Sequence, residues 1–164
     1  MAGSEKRGVQ FASADLYRGS VCILTPTEQT DPQALAQVDA FWKHLGMRTR
    51  QLSPDVHDRL ICDVSHLPHA LAAALVTMQQ EPALDLVGKG FLDATRIAAG
   101  DGALWRDILI DNRENLLQSL GRLQTSLDEL KTLLHPEKSA ELKAWLDRAS
   151  ERRQSIQRQR DASG

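Results

Sequence analysis

Ser53-Pro54-Asp55-Val56-His57-Asp58, continuing to Val64-Ser65-His66-Leu67-Pro68-His69, is where this 164-residue chain changes character. The Ser53 hydroxyl can accept from the first free amides of a helix. Pro54 suits the first helical position, where its missing N–H is not needed. From here the apolar pattern is helical almost throughout, and this first helix is expected to reach about Gln80. Pro68 falls inside it, removing a backbone donor and crowding the preceding turn, which predicts a kink near residues 64–68. The same stretch holds three of the chain's five histidines. Histidine changes charge most readily near neutral pH, so the cluster is a candidate for substrate or proton handling.

Upstream, Val21-Cys22-Ile23-Leu24-Thr25 is a short β-rich run ended by Pro26, which cannot donate to a sheet. Asp31 then caps a helix with Pro32 in its first turn. The apolar stripe of that helix is Ala34, Leu35, Val38, Phe41 and Trp42, and Gly46 closes it. Met47-Arg48-Thr49-Arg50-Gln51-Leu52 reads as a second, weaker strand. Strand, helix and strand make a βαβ unit. Two strands are too few for a stable sheet, so residues 1–53 read as the C-terminal remnant of a larger α/β domain.

Downstream, Pro82, Gly88, Gly90, Gly100 and Gly102 make residues 81–103 irregular, around one short helix near residues 93–99. The helical pattern resumes at Leu104. Leu116, Leu120, Leu123, Leu127, Leu130 and Leu134 alternate by four and three, a 3.5-residue seam that Pro136 breaks. A last amphipathic helix is expected over residues 137–158. The fold class is mainly α, an all-helical domain over residues 54–160 preceded by the βαβ remnant.

Composition bounds the function. With 20 basic and 22 acidic residues the net charge is −2, which gives no electrostatic reason to expect nucleic acid or an anionic membrane. Two cysteines in apolar surroundings, Cys22 and Cys62, are too few for a disulfide framework and suggest a reducing cytoplasm. No run of 18 uninterrupted apolar residues is present, so no membrane span is expected. The N-terminus lacks the apolar core of a signal peptide.

Each candidate cluster also has a plain reading. His66 and His69 share a helical face, whereas His57 lies on the opposite face of a straight helix and joins them only if the helix bends. Satisfied histidines at helix junctions explain the spacing equally well. Cys62, His66 and His69 also face one way with zinc-compatible chemistry. Structural zinc draws its ligands from two segments with paired spacing, and no metal is expected. Arg96 comes after the glycines of Gly88-Lys89-Gly90 and can clamp a carboxylate in a bidentate fork, or pair with Asp93 at the surface. Trp105, at a helix start, suits a core or an interface.

Together these segments resemble the prephenate and arogenate dehydrogenase family from Met1 to about His135. Met1-Ala2-Gly3-Ser4-Glu5-Lys6-Arg7-Gly8 is similar to the family's His-Pro-x-Ala-Gly-Ser/Thr-Glu-Lys-x-Gly. Leu24-Thr25-Pro26-Thr27, Ser53-Pro54-Asp55-Val56-His57-Asp58, Val64-Ser65-His66-Leu67-Pro68-His69, Gly90-Phe91-Leu92-Asp93-Ala94-Thr95-Arg96-Ile97-Ala98 and Leu104-Trp105-Arg106-Asp107-Ile108 come after it in family order. Each motif alone is weak; in register they are specific.

The resemblance implies a nucleotide-binding Rossmann domain, here reduced to residues 1–53, and a helical dimerisation and substrate domain. It implies NAD or NADP as cofactor and a homodimer as the assembly. The reaction would be oxidative decarboxylation of prephenate to 4-hydroxyphenylpyruvate in tyrosine biosynthesis, or of arogenate. By the same resemblance Arg96 would bind a substrate carboxylate, and His69 and His66 would line and polarise the pocket. Ser4 would lie near the ring, and His57 beside the site. Glu5 and Asp93 would form an ionic network around Arg96, and Trp105 would close the pocket from the partner subunit.

The chain departs from the family pattern in two respects. The family's catalytic histidine stands two residues before the position of Met1, and the glycine-rich fingerprint has no counterpart in these residues. Lys89 replaces a frequent glycine. Taken as written, the chain is expected to keep the substrate-side wall and the dimer interface and not to turn over alone. A truncated gene model or one half of a split gene accounts for that. The alternative is a stand-alone dimeric helical module that binds an aromatic-pathway metabolite.

Overall fold

Capping chemistry sets the first elements. The computed structural model describes residues 8–162. In it strand β1 (Val21–Leu24) leads to helix α1 (Pro32–His44) and strand β2 (Arg48–Gln51). The Asp31 side chain accepts from the Gln33 amide at 2.8 Å, with Pro32 in the first turn. Gly46 lies just beyond the helix at φ 83°, a left-handed conformation that side-chain-bearing residues rarely adopt. The strands pair in parallel, Val21 opposite Arg48 and Leu24 opposite Gln51. Leu24 and Met47 are buried. Trp42 meets Tyr17 and Phe41 edge-on at centroid distances of 5.5 and 5.3 Å, a favoured aromatic geometry.

The chain forms two compact units. One takes in residues up to His57 together with those from Leu130 onward, and the other is Asp58–Glu129.

Helix α2 (Pro54–Ile61) begins where the sequence indicates, the Ser53 hydroxyl accepting from the Val56 amide at 3.4 Å. Pro68 is accommodated by more than a kink. Cys62–His66 form a π-helical turn, and the Leu67 amide donates to the Cys62 carbonyl five residues back. Helix α3 (Leu67–Thr77) then starts with Pro68 in its first turn, where no amide is required. The extra residue rotates the downstream helix by roughly 100°, the angular step of one helical residue. The phase between His57 and the pair His66 and His69 therefore differs from that of a straight helix. The helix also stops at Thr77, short of Gln80.

Further on, two short helices replace the single one expected: α4 (Glu81–Leu84) and α5 (Lys89–Thr95). The latter begins earlier than residue 93 and gives way to a 3-10 turn, Arg96–Ala99. Helix α6 (Gly102–Asp111) is capped by Asp101, whose carboxylate accepts from the Leu104 amide at 2.9 Å. The pattern expected to continue from Leu104 is broken at Asn112, and α7 (Arg113–Leu133) starts afresh. The last helix, α8 (Ser139–Asp161), is shifted slightly toward the C-terminus. Inside the second unit α3 packs on α5 and on the 3-10 turn.

The leucine seam of α7 is only partly covered, with Leu116, Leu120, Leu123 and Leu130 half-buried. Ser119 is the buried residue of that helix, while Leu127 is 46% and Leu134, just beyond it, 64% exposed. The described apolar residues under one-tenth exposed are Leu24, Met47, Cys62 and Ala72, few for a chain of this length.

Taken end to end, Pro54–Thr77 is 24 residues with a mean hydropathy of 1.4 in its most apolar window, long and apolar enough to cross a membrane by length and composition. Charged residues interrupt its apolar run, so counting uninterrupted apolar residues does not pick it out. In this fold the same rod carries the π turn, the charged Asp63 and a histidine bonded to Asn112, and it packs on neighbouring helical segments.

Candidate functional site

Two local devices bring the candidate residues of the second unit together. The π turn ends at His66, so His66 and His69 fall on either side of the Pro68 junction. Asp101 starts α6 and sets Trp105 in its first turns. The His69 and Trp105 rings stack with centroids 3.4 Å apart and planes 13° from parallel. His66 meets the same indole edge-on at 6.4 Å. His69 is 6% exposed, and its burial pushes the imidazole below its ordinary pKa.

Gly100 explains how the stack closes. A Cβ there would lie 2.7 Å from Trp105 Nε1 and 3.1 Å from His69 Cε1. The position tolerates no side chain while the rings stay where they are.

Asn112, at the break between α6 and α7, ties this group to the π-turn rod. Its Nδ2 donates to the Asp58 carbonyl at 2.8 Å and lies 3.1 Å from His66 Nδ1, and its Oδ1 accepts from Asn115 Nδ2 at 2.8 Å. A second tie holds the turn itself. The Ser119 hydroxyl is 2.6 Å from Asp63 Oδ1, and Arg122 bonds both the carboxylate and, at 2.9 Å, the hydroxyl. Cys62, fully buried, has its sulfur 3.7 Å from the same hydroxyl.

Of the residues named from sequence, the structure brings His66, His69 and Trp105 together. The Trp105 stack is made within the chain. Arg96 is exposed at the start of the 3-10 turn that packs on α3. Asp93 pairs with Lys89 at 2.5 Å, so the lysine noted as an added charge is held by an i,i+4 ion pair. His57 is half-buried in the first turn of α2. Ser4 and Glu5 lie outside the described residues. Cys62, His66 and His69 face Ser119, Asn112 and Trp105 respectively, and no group of three metal-binding side chains converges among the described residues. A cavity of about 410 Å³ lined by Ala14, Arg18, His44, Leu45 and Gly46 belongs to the other unit and includes none of these side chains.

Sequence reading missed Asn112, Gly100 and the Asp63–Ser119–Arg122 tie. Asp101 had a legible signal, an acidic residue directly before a helical run. Asn112 and the Asp63–Ser119–Arg122 tie had none, because their partners are remote in sequence.

A parallel βαβ unit leading into a helical segment, with an imidazole–indole cluster on the latter, defines a helical domain that comes after a remnant of a nucleotide-binding type of fold. The chain belongs to the prephenate dehydrogenase family. Residues 53–148 match the family model described as prephenate dehydrogenase, dimerization domain, and residues 1–51 match the nucleotide-binding domain of the same enzyme. The prephenate dehydrogenase of Bacillus subtilis is 35% identical over 162 residues, covering 95% of this chain and 44% of its own length. The crystal structure of the A. aeolicus prephenate dehydrogenase with hydroxyphenyl propionate and NAD+ superposes with a TM-score of 0.85 at 40% identity, over 95% of this chain and 57% of that one. Synechocystis arogenate dehydrogenase gives 0.81 at 30% identity, over 94% and 59%. The chain thus spans about half the length of such relatives.

The β1–α1 connection does not fit a dinucleotide's pyrophosphate. The β1–α1 connection, Thr25-Pro26-Thr27-Glu28-Gln29-Thr30-Asp31, has no glycine, and the Asp31 carboxylate already takes an amide at the helix start. A pyrophosphate there would meet a carboxylate in place of free amides.

Proposed function

We propose that this chain forms the substrate-side wall and dimer interface of an NAD- or NADP-dependent dehydrogenase acting on prephenate or arogenate. The observation that carries this reading is the stack of buried His69 on half-buried Trp105 with His66 against its edge, in the segment matched by the dimerization-domain model. Such a wall suits a flat six-membered ring bearing oxygens. The indole and imidazole cover apolar surface, and ring N–H groups meet carboxylate or hydroxyl oxygens. Arg96 supplies the bidentate fork for a carboxylate, with Ser4 and His57 beside the ring and Glu5 and Asp93 balancing the guanidinium charge.

The domain boundary falls at residue 53, where the match to the dimerization-domain model begins. The molecule works as a cytoplasmic homodimer, a reading supported by the uncovered leucines of α7. By itself the 164-residue polypeptide does not reduce NAD, since its βαβ unit offers no dinucleotide turn.

Calorimetric titration with prephenate, arogenate and hydroxyphenyl propionate tests the reading. At least one ligand is expected to bind, and Arg96→Ala and His69→Asn to weaken it about tenfold or more, the loss of a charge-assisted bond. No binding to the wild type, or unchanged affinity in both variants, overturns the proposal.

A further inference from the structure

We infer that Asn112 is a positioning residue that fixes His66 as the Nε2–H tautomer, which makes His66 Nε2 a hydrogen-bond donor. The orientation of the Asn112 amide comes first. A backbone carbonyl only accepts, so the atom 2.8 Å from Asp58 O must be the NH2 end. The opposite end agrees, because Oδ1 lies 2.8 Å from the NH2 group of Asn115, which only donates. The amide is thus pinned from both sides and cannot flip.

Its two N–H groups then have two acceptors, the Asp58 carbonyl and His66 Nδ1 at 3.1 Å. For Nδ1 to accept it must carry a lone pair, and a neutral imidazole with a bare Nδ1 holds its proton on Nε2. The other tautomer, or the imidazolium, would set N–H against N–H. Asn112 is 9% exposed, so water does not readily take over either role. The break between α6 and α7 falls at Asn112, and that residue reaches both the α2 backbone at Asp58 and His66 at the end of the π turn.

The consequence deepens the reading above and rests on it. The proposed substrates carry carboxylates and a hydroxyl oxygen, and these need donors. A histidine free to choose its tautomer would present an acceptor part of the time.

The test is a long-range 1H–15N correlation spectrum of the 15N-histidine-labelled chain, which reports the two ring nitrogens separately, with the His66 signals assigned by His66→Gln. The wild type is expected to show a proton on Nε2 and none on Nδ1. Asn112→Asp replaces the donor by an acceptor of the same shape and is expected to bring a proton onto Nδ1. Where that variant does not fold, Asn112→Ala is expected to give a mixture of tautomers. A wild-type His66 protonated on Nδ1, or a folded Asn112 variant with an unchanged spectrum, overturns the inference. Titration with hydroxyphenyl propionate separates the two claims. If the wild-type tautomer is as stated and the probe does not bind, the proposed function fails and the Asn112 assignment stands. If the probe binds and the proton is on Nδ1, only the assignment fails.

Discussion

His69 and Trp105 lie face to face, ring centroids 3.4 Å apart and planes within 13° of parallel. Each ring covers the other from water, so a change at either is felt by both. The indole is therefore a built-in optical reporter for the histidine.

Gly100 holds that stack by its lack of a side chain. Gly100→Ala would place a methyl group 2.7 Å from the indole nitrogen, and a ring clamped by its neighbour cannot swing away as a flexible side chain would. Overpacking of this kind costs about 1–3 kcal/mol. Urea unfolding should show that loss, with a shifted Trp105 emission in a background where Trp42 and Trp145 are phenylalanine.

Burial holds the His69 imidazole below its ordinary value of 6.5. As pH falls, the unfolded chain takes up this proton first, so stability drops below about pH 6.5 and this contribution is flat above it. Unfolding free energies at about pH 7.5 and 5.5 should therefore differ more in the wild type than in His69→Gln, which has no proton to take up. Equal differences would mean that His69 titrates alike in both states.

Ser119→Ala removes the hydroxyl shared by Asp63, Arg122 and the buried Cys62. With its buried hydrogen bonds gone, a loss of about 1–2 kcal/mol is expected in chemical denaturation. Because Asp63 belongs to the π turn, amide exchange should speed up over residues 62–66 before it does elsewhere in α3.

Cys62 is fully buried and Cys22 only partly so. A thiol reagent should modify one cysteine in the folded chain and both in urea, with mass mapping placing the first adduct on Cys22.

Leu127 on the seam of α7 and Leu134 just beyond the helix stand uncovered. Leu127→Glu would place a charge in the proposed subunit contact. Sedimentation equilibrium is expected to show a dimer for the wild type and a monomer, or a dimer weakened by at least about tenfold, for the variant. A monomeric wild type would remove the dimer proposal.

The sequence by itself determined what neighbours in the chain can decide. Asp31-Pro32 and Ser53-Pro54 start helices because a side-chain oxygen and a missing amide act within three residues. Gly46 ends one because only a glycine readily takes its positive φ. Pro68 announced a disturbance for the same local reason, though whether the chain would bend or widen depended on what held the turn. The histidine cluster and Trp105 were visible as residue types, and the motifs that carried them identified the family. Tertiary structure decided their arrangement. Asn112 meets His66 across 46 residues and Ser119 meets Asp63 across 56, and neither pairing leaves a periodic trace. A one-residue widening of the helix changed the phase between His57 and the pair His66 and His69, because rotational phase accumulates along a helix while hydrogen-bond partners come from elsewhere in the fold.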